Sequence, residues 1–386
     1  MGVNGPSGMK TALVHHWLVT ERGGERVLEA LGELFPSADL FTLVHGASPL
    51  PASLSGHRLH SSFLQKFPRP TRWYRHYLPL FPMATEGLDL RGYDLVISSD
   101  AATVKGVRVS PDATHICYCH TPMRYIWNGY ETYYQSAGPL ERLALRAVRN
   151  PLRAWDYRAA QRVTHFVANS ENVQKRIRDS YERESVVIYP PVDTHRFVIP
   201  ALRQTTPDSF LLVSQLVPYK RVDLAIEAFN KCGKPLVIIG EGPERSKLQR
   251  QARPNIVFLG AQPQSAVIEA MQQCKAFVFA GEEDFGIVMA EAQSCGAPVI
   301  AFGQGGAREI VEDGVTGILF EEPSADSLLG GLERFQRLRF DGPAIRKSAL
   351  RFGRQRFLWE FRNLLNERYS EQVKQRERTA DLRDSS

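Results

Sequence analysis

The strongest constraint on the fold is a regular alternation of short aliphatic runs with amphipathic helical patterns along the chain. The runs are almost continuous in apolar residues, as is typical of parallel strands that helices cover on both faces. Two sets of six runs occur, and each set predicts one doubly wound α/β domain. The runs are Thr11–His15, Leu40–Val44, Leu95–Ser98, His115–Cys119, His165–Ala168 and Val186–Tyr189, then Phe210–Ser214, Leu236–Ile239, Ile256–Leu259, Ala276–Phe279, Pro298–Ala301 and Gly317–Phe320.

The boundary between the two sets falls at Asp193–Asp208, a segment with little periodicity. We therefore predict an N-terminal domain over residues 9–200 and a second domain over residues 201–350. A last apolar helical pattern, Phe357–Tyr369, comes after the second sheet is complete. Residues 351–386 are predicted to form a helix that returns to the N-terminal domain, followed by a polar tail.

Composition and charge bound the class of protein and its compartment. With 43% hydrophobic and 23% charged residues, extensive disorder is excluded, and no apolar run reaches the length of a membrane-spanning helix. Five cysteines without a C-x-x-C pair favour a reducing cytosol. Residues 9–200 hold 23 basic and 18 acidic residues, whereas residues 201–340 hold 14 and 17. An anionic partner is therefore expected on the N-terminal half.

The most informative segment is Glu283-Asp-Phe-Gly-Ile-Val-Met-Ala-Glu291. Gly286 opens a predicted helix just after a predicted strand. The N–H groups of Gly286, Ile287 and Val288 have no partner within that helix and can hold phosphate oxygens. Glu291 follows one turn later among apolar neighbours, where a buried carboxylate needs donors that sugar hydroxyls can supply. A purely structural Glu291 remains the alternative.

Two further turns after predicted strands carry groups that suit an anion. Gly23 and Gly24 let backbone N–H groups come close to a ligand at a strand-to-helix turn, although a plain tight turn is equally compatible. Lys220 and Arg221 stand where the next helix begins and suit a diphosphate, with a solvated helix start as the alternative. No D-x-D pair occurs, so we expect neither a metal nor another cofactor.

The segment His115-Ile-Cys-Tyr-Cys-His120 raises the question of a zinc site. On a strand, His115, Cys117 and Cys119 share one face, while His120 lies on the other face or past the strand end. Four convergent ligands are needed for structural zinc, and no second cluster is near in sequence. The position of His120 at the carboxyl end of a parallel strand favours contact with a ligand, and a buried, satisfied histidine is the alternative.

In their order along the chain, these motifs resemble the retaining family-4 glycosyltransferases, which have the GT-B fold of two Rossmann-like domains facing a central cleft. Glu283 and Glu291 have the E-x7-E spacing of that family. Cys119–Trp127 and Val217–Asp223 look most like bacterial mannosyltransferases that build O-antigen or exopolysaccharide repeat units. The other matching segments are Gly23-Gly-Glu25, His120-Thr-Pro122, Ala168-Asn-Ser170, Tyr189-Pro-Pro-Val-Asp193, Gly240-Glu-Gly-Pro243 and Gly305-Gly306.

The resemblance implies a role for each matching residue. Lys220 would bind the diphosphate of a nucleotide-sugar donor, and Glu291 would bind the nucleotide ribose. Glu283 and the amides of Phe285–Val288 would hold the donor sugar and its phosphates. His120 would face the donor sugar across the cleft, so that Lys220, Glu283 and His120 form the expected catalytic set.

The resemblance also places Gly23–Gly24 near the diphosphate and the acceptor, and it exposes one departure. The family usually has an arginine five residues before the lysine, where this chain has Gln215. A neutral amide is unable to replace a bidentate guanidinium. Either Arg221 or another cation compensates, with Arg124 and Arg308 as candidates, or donor turnover is weakened.

The implied reaction is transfer of a hexose to a lipid-diphosphate-linked saccharide at the inner face of the cytoplasmic membrane, in bacterial surface polysaccharide synthesis. The best expectation for the donor is GDP-mannose, and retention would give an α-linkage. Another nucleotide sugar, a nucleotide-sugar epimerase and a degenerate, membrane-binding relative without catalysis are the alternatives.

A basic, aromatic stretch suggests where such a membrane would bind. Residues 40–85 contain no Asp or Glu, and cations interleaved with aromatic side chains suit anionic lipid headgroups. An ordinary solvated face and a nucleic-acid site are the alternatives, and no nucleic-acid-binding module is recognisable. The stretch holds Arg58, Lys66, Arg69, Arg72, Arg75, Phe63, Phe67, Trp73, Tyr74, Tyr77 and Phe81, and a second basic stripe consists of Arg142, Arg146, Arg149 and Arg153.

Overall fold

The computed structural model describes residues 9–19, 23–47, 49–200 and 209–367. Within these residues the chain forms a seven-stranded and a six-stranded parallel sheet, which confirms the predicted fold class of two doubly wound α/β domains. Both sheets are buried on their two faces. Along the first strand of the second sheet, for example, Phe210 and Leu212 enter one core and Leu211 the opposite one. The predicted polar tail, residues 368–386, and most of the predicted boundary, residues 201–208, lie outside the described residues.

In the first sheet the strand order reverses next to the strand that comes first in the chain. The order is β3-β2-β1-β5-β7-β8-β9, so the chain builds outward from β1 to one side and then returns to the other side at β5. The strands are β1 (Thr11–Leu18), β2 (Asp39–His45), β3 (Leu59–Ser61), β4 (Asp89–Leu90), β5 (Leu95–Asp100), β6 (Arg108–Val109), β7 (Thr114–Cys119), β8 (His165–Ala168) and β9 (Ser185–Val187), with β4 and β6 pairing apart from the main sheet.

The second sheet repeats this plan with the order β12-β11-β10-β13-β14-β15. The reversal lies between β10 and β13, and the carboxyl ends of strands at such a reversal are where ligands bind in doubly wound folds. The strands are β10 (Phe210–Val213), β11 (Leu236–Ile239), β12 (Ile256–Gly260), β13 (Phe277–Phe279), β14 (Val299–Phe302) and β15 (Gly317–Phe320).

Helices cover both faces of the sheets, and among those described none combines the length and apolarity needed to cross a bilayer. They are α1 (Gly23–Leu34), α2 (Pro70–Trp73), α3 (Phe81–Glu86), α4 (Tyr130–Ser136), α5 (Pro139–Gln161), α6 (Glu171–Tyr181), α7 (Val222–Cys232), α8 (Arg245–Gln251), α9 (Gln264–Gln273), α10 (Ile287–Ser294), α11 (Ala307–Ile310), α12 (Ala325–Arg337), α13 (Gly342–Ala349) and α14 (354–367). Short 3-10 segments are formed by Phe63–Lys66, Tyr74–Leu80, Val104–Gly106, Pro218–Lys220 and Leu350–Phe352.

The chain crosses between the two sheets at two adjacent places. The N–H of Val192, after the first sheet, donates to the carbonyl oxygen of Phe352, before α14, at 2.9 Å. Beyond this crossing, α14 packs on the N-terminal core, where the fully buried ring of Phe357 lies 5.8 Å from that of Tyr118. The domain limits drawn from the sequence remain predictions.

Candidate active site

Two loops at the reversal of the second sheet bring Lys220 and Glu283 together. Lys220 ends the 3-10 turn that follows β10, and Glu283 lies between β13 and α10. The Nζ of Lys220 forms an ion pair with the Glu283 carboxylate, and each side chain is only 14% exposed. Because β10 and β13 are neighbours in the sheet, residues far apart in sequence form one charged site at its edge.

The start of α10 has the geometry that an anion site requires. Gly286 has a φ of +90°, and a Cβ there would overlap the Met289 side chain, so the position demands glycine. The first hydrogen bond that closes the helix runs from the Met289 N–H to the Gly286 carbonyl at 2.9 Å. The N–H groups of Ile287 and Val288 therefore precede the intrahelical ladder and can serve a ligand.

Glu291 lies inside α10 and forms an ion pair with Arg26, a residue that the sequence reasoning missed. Glu291 is 5% exposed; burial raises the pKa of its carboxyl, and the charge of Arg26 opposes that shift. Arg26 lies in the first turn of α1, where the helix dipole disfavours a cation. That mismatch was the available signal that Arg26 has a partner outside its own helix.

The Gly-Gly turn of the first domain meets α10 directly. A Cβ at Gly23 would lie 3.4 Å from Cγ2 of Ile287, and one at Gly24 would lie 3.6 Å from Nε2 of His120. The structure thus brings Gly23, Gly24, His120 and the start of α10 to one cleft, with the two domains in contact across it.

Asp284, also missed, connects the two domains across the cleft. Its carboxylate accepts hydrogen bonds from Oγ1 of Thr121 at 3.2 Å and from Nε of Arg124 at 3.0 Å, and it pairs with Arg176. Its backbone carbonyl accepts from the Ser170 hydroxyl at 2.7 Å. The Thr-Pro and Asn-Ser segments of the first domain are therefore attached to the loop that carries Glu283.

His120 belongs to a hydrogen-bonded chain at the carboxyl ends of β1, β5 and β7. Its Nε2 lies 2.8 Å from the Ser99 hydroxyl, which in turn lies 3.0 Å from Nδ1 of the fully buried His15. Burial and the neighbouring His16 lower the pKa of His120 to about 3. At neutral pH the imidazole of His120 is therefore uncharged and acts through hydrogen bonds.

His115 lies near the start of β7, at the opposite end of the strand from His120. It is fully buried, and its Nε2 lies 2.9 Å from the Ser98 hydroxyl. Within the described part of the chain, no group of three or more His, Cys, Asp or Glu side chains is arranged to hold a metal ion. Cys117 and Cys119 instead pack in an apolar cluster with Phe166.

The buried His115 leads to a prediction about acid stability. Burial lowers the pKa of His115 to about 4, whereas an unfolded histidine titrates near ~6.5. Between these values the unfolded state binds the additional proton, so acidification destabilises the fold by about 1.4 kcal/mol per pH unit. His115→Gln should remove about 2 kcal/mol of the stability loss between pH 7 and pH 5 in urea unfolding. An equal slope in His115→Gln and in the parent would contradict the assignment.

The cations proposed to compensate for Gln215 each have another partner. Nε of Arg221 lies 3.2 Å from Oδ1 of Asp223, and its side chain lines a cavity of about 660 Å³ between the domains. Arg124 donates to Asp284, and Nε of Arg308 donates to the Gly303 carbonyl. Gln215 itself is half-buried at the end of β10.

Profiles of two related families match the chain in adjacent segments. The profile described as Glycosyltransferase Family 4 matches residues 22–196, and the profile described as Glycosyl transferases group 1 matches residues 197–354. The second match includes both glutamates and Lys220. The chain belongs to the family-4 glycosyltransferases. This confirms the family that the order of motifs indicated, and the two facing parallel sheets are its GT-B fold.

Two curated relatives match part of this family-4 chain. A GDP-mannose-dependent alpha-mannosyltransferase of Mycobacterium tuberculosis is 34% identical over 173 residues, which cover 41% of this chain and 45% of that protein. A GDP-mannose-dependent alpha-(1-6)-phosphatidylinositol monomannoside mannosyltransferase of Mycolicibacterium smegmatis is 32% identical over 168 residues, 36% of this chain and 44% of that protein. In these alignments the chain spans less than half of each relative's length.

A solved structure extends the likeness to nearly the whole chain. Anabaena HepE in complex with UDP and glucose matches 93% of this chain and 99% of its own, with a TM-score of 0.68 at 18% sequence identity. At that identity the likeness shows the fold alone.

Proposed function

We propose that this family-4 glycosyltransferase transfers mannose from GDP-mannose to an acceptor held by the N-terminal domain, with retention and thus an α-linked product. The observation that carries the proposal is the pairing of both glutamates of the E-x7-E motif with cations in one cleft, Glu283 with Lys220 and Glu291 with Arg26. The names of the mycobacterial relatives support GDP-mannose as the donor.

The geometry suits stabilisation of a leaving diphosphate. Lys220 and the N–H groups of Ile287 and Val288 converge on the cleft, and preorganised donors of this kind lower the barrier where negative charge develops. Glu283 would bind hydroxyls of the donor sugar, and the neutral His120 would form a hydrogen bond to the same sugar. A same-face transfer fits this arrangement without a metal: the bond from C1 to the diphosphate breaks as the acceptor hydroxyl attacks C1, and the hydroxyl proton passes to the leaving diphosphate oxygen.

A thermal-shift panel tests the donor assignment. GDP and GDP-mannose should stabilise the protein more than UDP, ADP and their sugars, and should do so equally in EDTA and in magnesium. Ligand at 100 times its dissociation constant adds about 2.7 kcal/mol, which is readily detected. Loss of binding in EDTA would contradict a diphosphate site built from protein groups alone. A free-sugar product without acceptor would favour the epimerase, and no binding at all would favour the non-catalytic relative.

For the acceptor we propose a lipid-diphosphate-linked saccharide, reached from the inner face of the cytoplasmic membrane. The exposed side of the basic stretch carries Arg69 and Arg72 beside Phe63 and Trp73, which are 39% and 40% exposed. Its other aromatic residues have a different role, because Tyr74 and Phe81 are buried in the core. The arginines of α5 stack on aromatic rings, as the pairs Arg142–Tyr134, Arg146–Tyr134, Arg149–Tyr130 and Arg153–Trp127.

The membrane proposal predicts a salt-dependent loss in the variant Arg69→Ser/Arg72→Ser. Each basic residue near an anionic surface contributes about 1 kcal/mol, so vesicle binding should weaken by about 2 kcal/mol at low salt and less at high salt. Co-sedimentation with anionic and neutral vesicles measures this, and activity on a short soluble acceptor should persist. If the variant binds anionic vesicles as the parent does, this surface is an ordinary solvated face and does not bind the membrane.

A further inference from the structure

We propose that Arg26, from the opposite domain, supplies the second cation for the donor diphosphate, the role that Gln215 is unable to fill. The inference rests on the proposed function, because it concerns the same nucleotide-sugar site. It assigns to the cleft a phosphate-binding residue that lies outside the nucleotide-binding domain.

The first observation is that the two glutamates of the motif are paired in the same manner. Glu283 pairs with Lys220, and Glu291 pairs with Arg26, so each carboxylate holds one cation in the cleft. When Glu291 turns to ribose hydroxyls, it exchanges a charged partner for neutral donors. The guanidinium is then free to form charge-assisted, bidentate bonds to phosphate, which is its preferred geometry.

The second observation is the position of Arg26 relative to α10. Gly23 and Arg26 are three residues apart on α1, and Ile287 and Glu291 are four apart on α10, so each pair lies on one helix face. A Cβ at Gly23 would lie 3.4 Å from Cγ2 of Ile287, and Arg26 pairs with Glu291, so the first turn of α1 lies beside α10. The guanidinium is thereby held one turn along α10 from the N–H groups of Ile287 and Val288, which suit phosphate.

The third observation is that Arg26 is held between two partners, the Glu291 carboxylate and the Phe197 ring. Its side chain is 27% exposed, and its guanidinium carbon lies 5.7 Å from the centre of the Phe197 ring. The other candidate cations pair with groups that have no proposed role in donor binding. Arg221 pairs with Asp223, Arg124 with Asp284 and Arg308 with a backbone carbonyl. Arg124 also lies 3.6 Å from Glu283, but two of its nitrogens donate to Asp284.

Titration calorimetry with GDP in EDTA tests the inference through four proteins: the parent, Arg26→Gln, Gln215→Arg and the double variant. Arg26→Gln should weaken GDP binding roughly ten- to hundredfold, as expected for a lost bond to a charged group. Gln215→Arg should return most of that affinity in the Arg26→Gln protein and change the parent much less, because the two cations serve one diphosphate. Arg354→Gln is the matched control. It also removes a positive charge and breaks an ion pair with α1, the 2.8 Å contact with Glu33, and it should not alter the affinity for GDP.

A second pair of variants separates binding from structure, since Arg26→Gln leaves the buried Glu291 unpaired. In a Glu291→Gln background no such carboxylate remains, and Arg26→Gln should still weaken GDP binding about tenfold or more. A purely structural ion pair would give no further loss in that background, which would overturn the inference.

The outcomes also separate this inference from the proposed function. If the parent binds GDP and Lys220→Met weakens that binding, but Arg26→Gln does not, the diphosphate site stands and the assignment of Arg26 is wrong. If none of the three nucleotides GDP, UDP and ADP binds the parent, the proposed function and the assignment of Arg26 are both wrong.

Discussion

Replacing Lys105 with methionine is expected to lower the free energy of unfolding by about 3–5 kcal/mol, because it leaves buried carboxylates without their cation. Lys105 is fully buried, with its Nζ 3.0 Å from Oδ2 of Asp100 and 2.5 Å from Oδ1 of Asp156. Burial alone would lower the pKa of Lys105, but the two carboxylates raise it well above its ordinary value. Burial raises the pKa of Asp156, and the charge of Lys105 opposes that shift.

This ion cluster also supports the site. The Asp100 carbonyl accepts the His120 N–H at 2.8 Å, and Ser99 precedes Asp100 at the end of β5. Lys105→Met should therefore reduce both stability and the positioning of His120. Urea unfolding gives the stability, and adding Asp156→Asn should recover part of the loss by removing one unpaired charge.

The matched control for Lys105 is Lys231→Met. Lys231 also pairs with two carboxylates, Glu227 at 3.0 Å and Asp326 at 2.9 Å, but it is 44% exposed. Its loss should change the free energy of unfolding by no more than about 1 kcal/mol. Equal losses in the two variants would contradict the view that burial makes the Lys105 cluster critical.

The second large effect concerns Lys220. Lys220→Met should lower kcat about 10²–10³-fold, comparable to the loss of one donor that stabilises transition-state charge. Because the charge on the diphosphate grows as the sugar leaves, kcat and kcat/KM should fall together. Transfer from GDP-mannose under single-turnover conditions isolates this step from product release.

Lys231→Met also serves as the control for Lys220. Lys231 is a lysine of the same domain, 44% exposed and paired with Glu227 and Asp326, so its loss removes the same charge at a position without a proposed role in donor binding. Its kcat should stay close to that of the parent. A parent-like kcat in Lys220→Met would remove Lys220 from the catalytic set.

Much of the fold was predictable because it depends on local pattern. The six aliphatic runs of each half became strands of parallel sheets, since a continuous apolar run between helices has few other ways to be buried. Strand β3 (Leu59–Ser61) was missed, because a three-residue segment without an aliphatic run gains its structure only by pairing with β2. The two-residue strands β4 and β6 were missed for the same reason.

The site was predictable where a motif carries its own chemistry and not where it depends on contacts between domains. Glu283, Lys220 and the Gly286 turn could be read from spacing, and the structure places them at one sheet edge. The partners Arg26 and Asp284 lie in cross-domain contacts that no local pattern encodes.

The most direct test of the account is the anomeric configuration of the product formed from GDP-mannose that carries ¹³C at C1 of its mannose. The purified protein, in EDTA, is given this donor and a lipid-diphosphate-linked saccharide, and the product is examined by NMR. The account predicts an acceptor-dependent α-mannoside, formed without added metal and lost in Lys220→Met. A β-linked product, or free mannose in the absence of acceptor, would contradict it.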